Sequence, residues 1–121
     1  MVKKQLTPLA YEVTQNKGTE PPFTGKYNHF FDSGNYFCVC CEQKLFESSK
    51  KFQSSCGWPA FSEATTNSTN EKLDLSCGMS RIEILCQSCG AHLGHRFEDG
   101  PTGTRYCINS VSLHFIPNNK N

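Results

Sequence analysis

Two C-x-x-C turns, Cys38-Val39-Cys40-Cys41 and Cys86-Gln87-Ser88-Cys89, stand 44 residues apart in a chain of 121. Each turn brings two thiols together, and two turns supply the four sulfurs that a tetrahedral structural Zn²⁺ prefers. No other feature constrains the fold as strongly, because an ion held by both turns ties two distant strand ends to one point. The separation exceeds the roughly 12–20 residues of a compact zinc ribbon. The three-residue step favours Cys38 and Cys41 as ligands over Cys40, which reads as a bystander. Glu42 and Gly90 directly follow the two turns, as suits a tight knuckle. Buried free thiols and a redox C-x-x-C are the competing readings. Steps of three through Cys86, Cys89, His92 and His95 also allow a Cys₂His₂ site. That reading leaves little chain to wrap a tetrahedron and gives Cys38 and Cys41 no role. A closed four-sulfur site has no open coordination position, so catalysis must lie elsewhere.

Eight cysteines would mean disulfides in a secreted chain, but Met1-Val2-Lys3-Lys4-Gln5-Leu6-Thr7-Pro8 lacks the apolar core of a secretory signal. A cytoplasmic location is expected, where such a density means metal binding or catalysis. The net charge is +1, and no basic run exceeds two residues, as in Lys50-Lys51. Nucleic acid and anionic membranes are therefore not expected partners. No apolar run approaches the roughly 18 residues of a membrane span. The length suits one domain, residues 1–121, expected as a monomer.

Nine Phe and four Tyr beside few Leu and Ala favour strands over helix bundles. Thr7 as cap and Pro8 at the first position open a short helix over 9–14. Gly18-Thr19-Glu20-Pro21-Pro22-Phe23 cannot be helical and reads as an arm laid over the body. Strands are expected over 34–39, 44–47, 80–85, 105–109 and 111–116. Residues 62–74 read as a surface loop and Ala91–Phe97 as a loop or short turn. The expected fold is mainly β: two small antiparallel sheets, a short N-terminal helical segment and a structural zinc site.

Besides Cys40, three cysteines lie outside the metal set. Cys107 follows Arg105 by two residues, and a nearby guanidinium favours the nucleophilic thiolate. Cys56, in Ser55-Cys56-Gly57-Trp58-Pro59, sits in a turn that leaves a thiol exposed and mobile, as suits a resolving cysteine. Cys77 has no charged neighbour and reads as structural or incidental. Trp58, beside Gly57 and Pro59, is a candidate wall of an apolar pocket. His92 and His95 are candidate acids if the metal takes four cysteines. For each the bland reading is packing or local hydrogen bonding.

Taken together, these segments resemble the B-type methionine sulfoxide reductases, from Leu6-Thr7-Pro8 to Phe115-Ile116-Pro117. The likeness runs through Cys56-Gly57-Trp58-Pro59, Gly78-Met79-Ser80-Arg81, Cys89-Gly90-Ala91-His92-Leu93-Gly94-His95, Asp99-Gly100-Pro101 and Arg105-Tyr106-Cys107-Ile108-Asn109-Ser110. The resemblance implies reduction of methionine-R-sulfoxide by nucleophilic Cys107, with Cys56 resolving and thioredoxin restoring the thiols. It implies Cys38, Cys41, Cys86 and Cys89 as zinc ligands, Trp58 receiving the sulfoxide methyl, and His92, His95 and Asn109 lining the polar side. Arg105 and Asp99 would be charged support. A zinc-binding interaction module and a general thiol–disulfide enzyme are the other function classes. The first gives Trp58 beside Cys56 no reason, and the second would use a C-x-x-C that the metal occupies.

Overall fold

The computed structural model describes residues 6–118, with the backbone alone at Cys77, so residues 1–5 and 119–121 of the expected domain lie outside it. Helix α1 spans Pro8–Asn16, opened by the Thr7 side chain accepting the Ala10 amide proton at 3.1 Å. This satisfies one of the amides that a helix start leaves unpaired. Lys17 closes the helix in the left-handed region, at φ 61°. Among the described residues nine strands follow: β1 Gly34–Cys38, β2 Lys44–Glu47, β3 Lys51–Phe52, β4 Ala60–Phe61, β5 Thr69–Asp74, β6 Arg81–Cys86, β7 His92–Phe97, β8 Arg105–Ile108 and β9 Leu113–Pro117. They make two antiparallel sheets, ordered β2-β1-β9 and β3-β4-β8-β7-β6-β5. The mainly-β expectation holds, with a second sheet larger than expected.

Aromatic rings bind the sheets together. Phe61 of β4 stacks on Phe46 of β2 at 4.3 Å and meets Tyr36 of β1 edge-on at 5.1 Å. All three are fully buried. Each such side chain contributes about 1.5–3 kcal/mol through burial, and each ring pair roughly 0.5–1.5 kcal/mol beyond that. Tyr36 shares its inward face with Cys38 because residues two apart on a strand point the same way.

Two expectations are corrected. The segment 62–74 is not all loop, because Thr69–Asp74 pairs along the whole of β6 as an edge strand. Nor is 91–97 a loop. His92–Phe97 is β7, central between β6 and β8. Its polar residues hide there because they find partners across the sheet: Glu83 of β6, 1% exposed, lies 2.7 Å from His92. A buried charge persists only when it is paired in this way.

Candidate active site

The two C-x-x-C turns follow β1 and β6 and fold alike. The Glu42 amide donates to the Cys38 carbonyl and the Gly90 amide to the Cys86 carbonyl, both at 2.8 Å. Glu42 and Gly90 both adopt left-handed backbone, at φ 68° and 80°. The four sulfurs of Cys38, Cys41, Cys86 and Cys89 lie within 4.8 Å of one another, a group that could hold a metal ion. The Cys38–Cys89 and Cys41–Cys86 edges are 3.7 and 3.6 Å. Zn–S bonds of about 2.3 Å at tetrahedral angles require edges near 3.8 Å, so the donor set fits zinc. Cys40 stays outside the group and accepts a hydrogen bond from Gln15 Nε2 at 3.4 Å.

A second thiol site stands on the large sheet. Cys107 of β8 lies between Ala60 of β4 and His95 of β7 in the strand register. Gly94 is required beside it, since a Cβ there would run into the Cys107 carbonyl oxygen. The Cys56 sulfur comes within 3.4 Å of Cys107. Closing that gap to the roughly 2.05 Å of a disulfide takes about 1.4 Å of movement. Cys56 is thus half-buried rather than exposed, and its sulfur already stands beside Cys107. Its amide donates to Ser54 Oγ at 3.2 Å, and its thiol faces the Trp58 carbonyl at 3.2 Å.

The two thiols share one hydrogen bond and shift in opposite directions. Cys56 is lowered to about 5, first by its hydrogen bond with Cys107, although burial opposes this. Cys107 is raised, first by holding that hydrogen bond and then by burial. Arg105 pulls Cys107 down, as the spacing suggested, but is outweighed. The one hydrogen bond joining the two sulfurs over 3.4 Å sets both directions, and either sulfur can donate it. A lowered value means the thiolate persists above about pH 5 and is lost as pH falls through it. Alkylation of Cys56 by iodoacetamide, followed by mass spectrometry, should rise through about pH 5 and level off by neutrality. An ordinary thiol would still be gaining reactivity at about pH 8.5.

Cys107, Trp58, His95 and Asn109 line one pocket with Thr19, Arg81, Gly94 and Phe97. The arm fixes its walls. Trp58 Nε1 donates to the Glu20 carbonyl at 3.0 Å, and the Glu20 amide donates to Asn109 Oδ1 at 2.9 Å. Asn109 Nδ2 donates to the Leu93 carbonyl at 3.0 Å, so this amide braces the pocket. Glu20 itself is buried, which raises its pKa, while Oε1 accepts the Val111 amide proton at 3.0 Å. His92 does not line the Cys107 pocket. It lines an adjoining cavity that shares Thr19, Arg81 and His95 with the first. Arg105 forms a double hydrogen bond with Asp99, at 2.8 and 3.2 Å, and stacks over Phe97 at 4.4 Å. Both charges line a separate groove that reaches Cys56.

Sequence reasoning missed Glu20, Asp74, Arg81 and Glu83. Asp74-Leu75-Ser76 carried the one local signal, an aspartate two residues before a serine whose amide it accepts at 2.9 Å. The others acquire partners only through tertiary pairing.

Similarity to known proteins agrees with this geometry. The fold resembles the crystal structure of the Mis18 'Yippee-like' domain, with TM-score 0.57 and 18% identity over 74% of this chain and all of that one. The SelR domain matches residues 6–117. The chain is 53% identical to the peptide methionine sulfoxide reductase MsrB of Burkholderia mallei over 118 residues, covering 94% of this chain and 82% of that one. It is 54% identical to that of Variovorax paradoxus over 95% of this chain and 87% of that one. It is 55% identical to that of Chromohalobacter salexigens over 95% and 90%. A domain match over nearly every described residue, with more than half of the positions shared, places the chain in the SelR family of B-type methionine sulfoxide reductases, a family of oxidoreductases.

Proposed function

We propose that this enzyme reduces methionine-R-sulfoxide, in oxidised proteins and as the free amino acid, through a sulfenic acid on Cys107 and a Cys56–Cys107 disulfide. The observation that carries the reading is the 3.4 Å sulfur pair placed at a pocket walled by Trp58 and His95. The Cys107 thiolate attacks the sulfoxide sulfur. The oxygen must be protonated to weaken its bond to sulfur. His95 lines the Cys107 pocket, which favours it over His92 as the acid. The protonated oxygen passes to the Cys107 sulfur as its bond to the substrate sulfur breaks, the new sulfur–sulfur bond opens, and methionine leaves with Cys107 as a sulfenic acid. Cys56 displaces that oxygen as water and forms the disulfide. An external dithiol, thioredoxin in our reading, then gives up two electrons and two protons to restore both thiols. The groove of Ser54, Cys56, Asp99 and Arg105 supports a reductant arriving from a different side than the substrate.

One Zn²⁺ held by Cys38, Cys41, Cys86 and Cys89 would be structural, pinning the ends of β1 and β6 together. The chain acts in this reading as a single-domain monomer in the cytoplasm, in protein repair after oxidation. Among the described residues no helix is long and apolar enough to cross a membrane.

A lining that combines apolar Trp58 with polar His95 and Asn109 can distinguish a methyl from an oxygen on a chiral sulfur. Turnover of both epimers with dithiothreitol tests this. The R epimer should be reduced and the S epimer untouched. Equal rates would refute the pocket assignment.

A further inference from the structure

We propose that Asp74 is a positioning residue for the reduction, holding the His95 imidazole with its proton fixed on Nε2 and leaving Nδ1 as the nitrogen that delivers a proton. This rests on the function proposed above. Asp74 Oδ2 lies 2.7 Å from His95 Nε2. The other oxygen accepts the Ser76 amide proton at 2.9 Å, so both oxygens are engaged. Arg81 Nη2, 3.6 Å from Oδ2, balances the charge from the paired position on β6. Asp74 is held well below the usual carboxylate range, first by the hydrogen bond with His95 and then by the Ser76 amide. An ionised carboxylate can only accept, so the shared proton belongs to Nε2. The contact is shielded, with side chains 12% and 16% exposed, where a charge-assisted bond is strong.

The consequence concerns proton delivery. A neutral imidazole has one N–H, and Asp74 occupies it. Donation to the sulfoxide oxygen then needs a second N–H at Nδ1, which only the imidazolium has. Asp74 stabilises that cation, and after transfer the ring is neutral with Nε2–H still on Asp74. The step moves one proton and no electrons. His92 is held in a similar way, its Nδ1 2.7 Å from Glu83, with Lys17 Nζ 3.5 Å from the other Glu83 oxygen. Burial pushes His92 down, however, and it does not reach the Cys107 pocket, so the two pairs are not equivalent. Its ring lies 5.5 Å from that of His95, and a second positive charge there would be repelled.

A double-mutant cycle on the full chain, with methionine-R-sulfoxide and dithiothreitol, tests the assignment. Asp74→Asn keeps the size of the side chain and an acceptor for Ser76. It should lower kcat about tenfold or more, part of the roughly 10²-fold or greater effect of His95→Gln, with KM changed less than about twofold. In the His95→Gln background, Asp74→Asn should change kcat less than about twofold. An unchanged kcat, or the same loss in both backgrounds, would overturn the proposal. If a variant fails to fold, a long-range ¹H–¹⁵N spectrum of the wild-type protein decides: a proton on His95 Nε2 is expected, and a bare Nε2 contradicts it. Failure of the proposed function would show separately, as a wild-type protein that reduces neither epimer.

Discussion

Cys107→Ser should lose reduction of methionine-R-sulfoxide by about 10³-fold or more, because a neutral hydroxyl is a far weaker nucleophile than a thiolate. Among the described residues no second thiol lines its pocket: Cys56, 3.4 Å away, lies outside the one that Cys107 shares with Trp58 and His95. Cys56→Ser should behave differently. It should convert about one equivalent in a single turnover and then stall with thioredoxin, since reduction by that partner needs the disulfide. A small dithiol reaching the Cys107 sulfenic acid directly should partly restore turnover. Steady-state and single-turnover assays of both variants separate the roles. Full thioredoxin-linked turnover by Cys56→Ser would remove Cys56 from the mechanism.

Loss of one metal ligand should be as severe for the fold as loss of Cys107 is for the chemistry. Structural zinc contributes on the order of 10–16 kcal/mol in small zinc-dependent domains, as much as the whole 5–15 kcal/mol stability typical of a domain. Cys41→Ser is therefore expected to abolish metal binding and unfold the chain, read by elemental analysis and circular dichroism. Cys40→Ser should keep its zinc and its fold, because the Cys40 sulfur faces Gln15 instead of the four-sulfur group. Zinc lost in Cys40→Ser and retained in Cys41→Ser would reverse the ligand register.

The features legible in the sequence are those set locally. The helix start at Thr7-Pro8, the knuckles closed by Glu42 and Gly90, and strands β1, β2 and β6 each follow from turn chemistry or alternation within a few residues. Strand β7 was not legible, because His-Leu-Gly-His-Arg-Phe lacks period-two hydrophobicity. Its histidines find partners on other strands, Glu83 of β6 and Asp74 of β5. The Ser/Thr/Asn-rich approach to β5 hid an edge strand whose side chains remain mostly exposed. At the site, residue types suggested Cys107, Trp58 and the zinc ligands. The pairing of Cys56 with Cys107 depends on a sulfur–sulfur distance that no spacing reveals. The same holds for the arm, where Glu20 braces Trp58 and Asn109 through backbone atoms whose direction only the fold decides.

The central claim is that the sulfoxide oxygen passes to Cys107 and is then displaced by Cys56. The most direct test gives Cys56→Ser and wild type one equivalent of methionine-R-sulfoxide without reductant, adds a sulfenic-acid trapping reagent, and maps the products by mass spectrometry. The account predicts label on Cys107 in Cys56→Ser, and in wild type a Cys56–Cys107 disulfide with little label. Label on another cysteine, or methionine formed while Cys107 stays a free thiol, would contradict it.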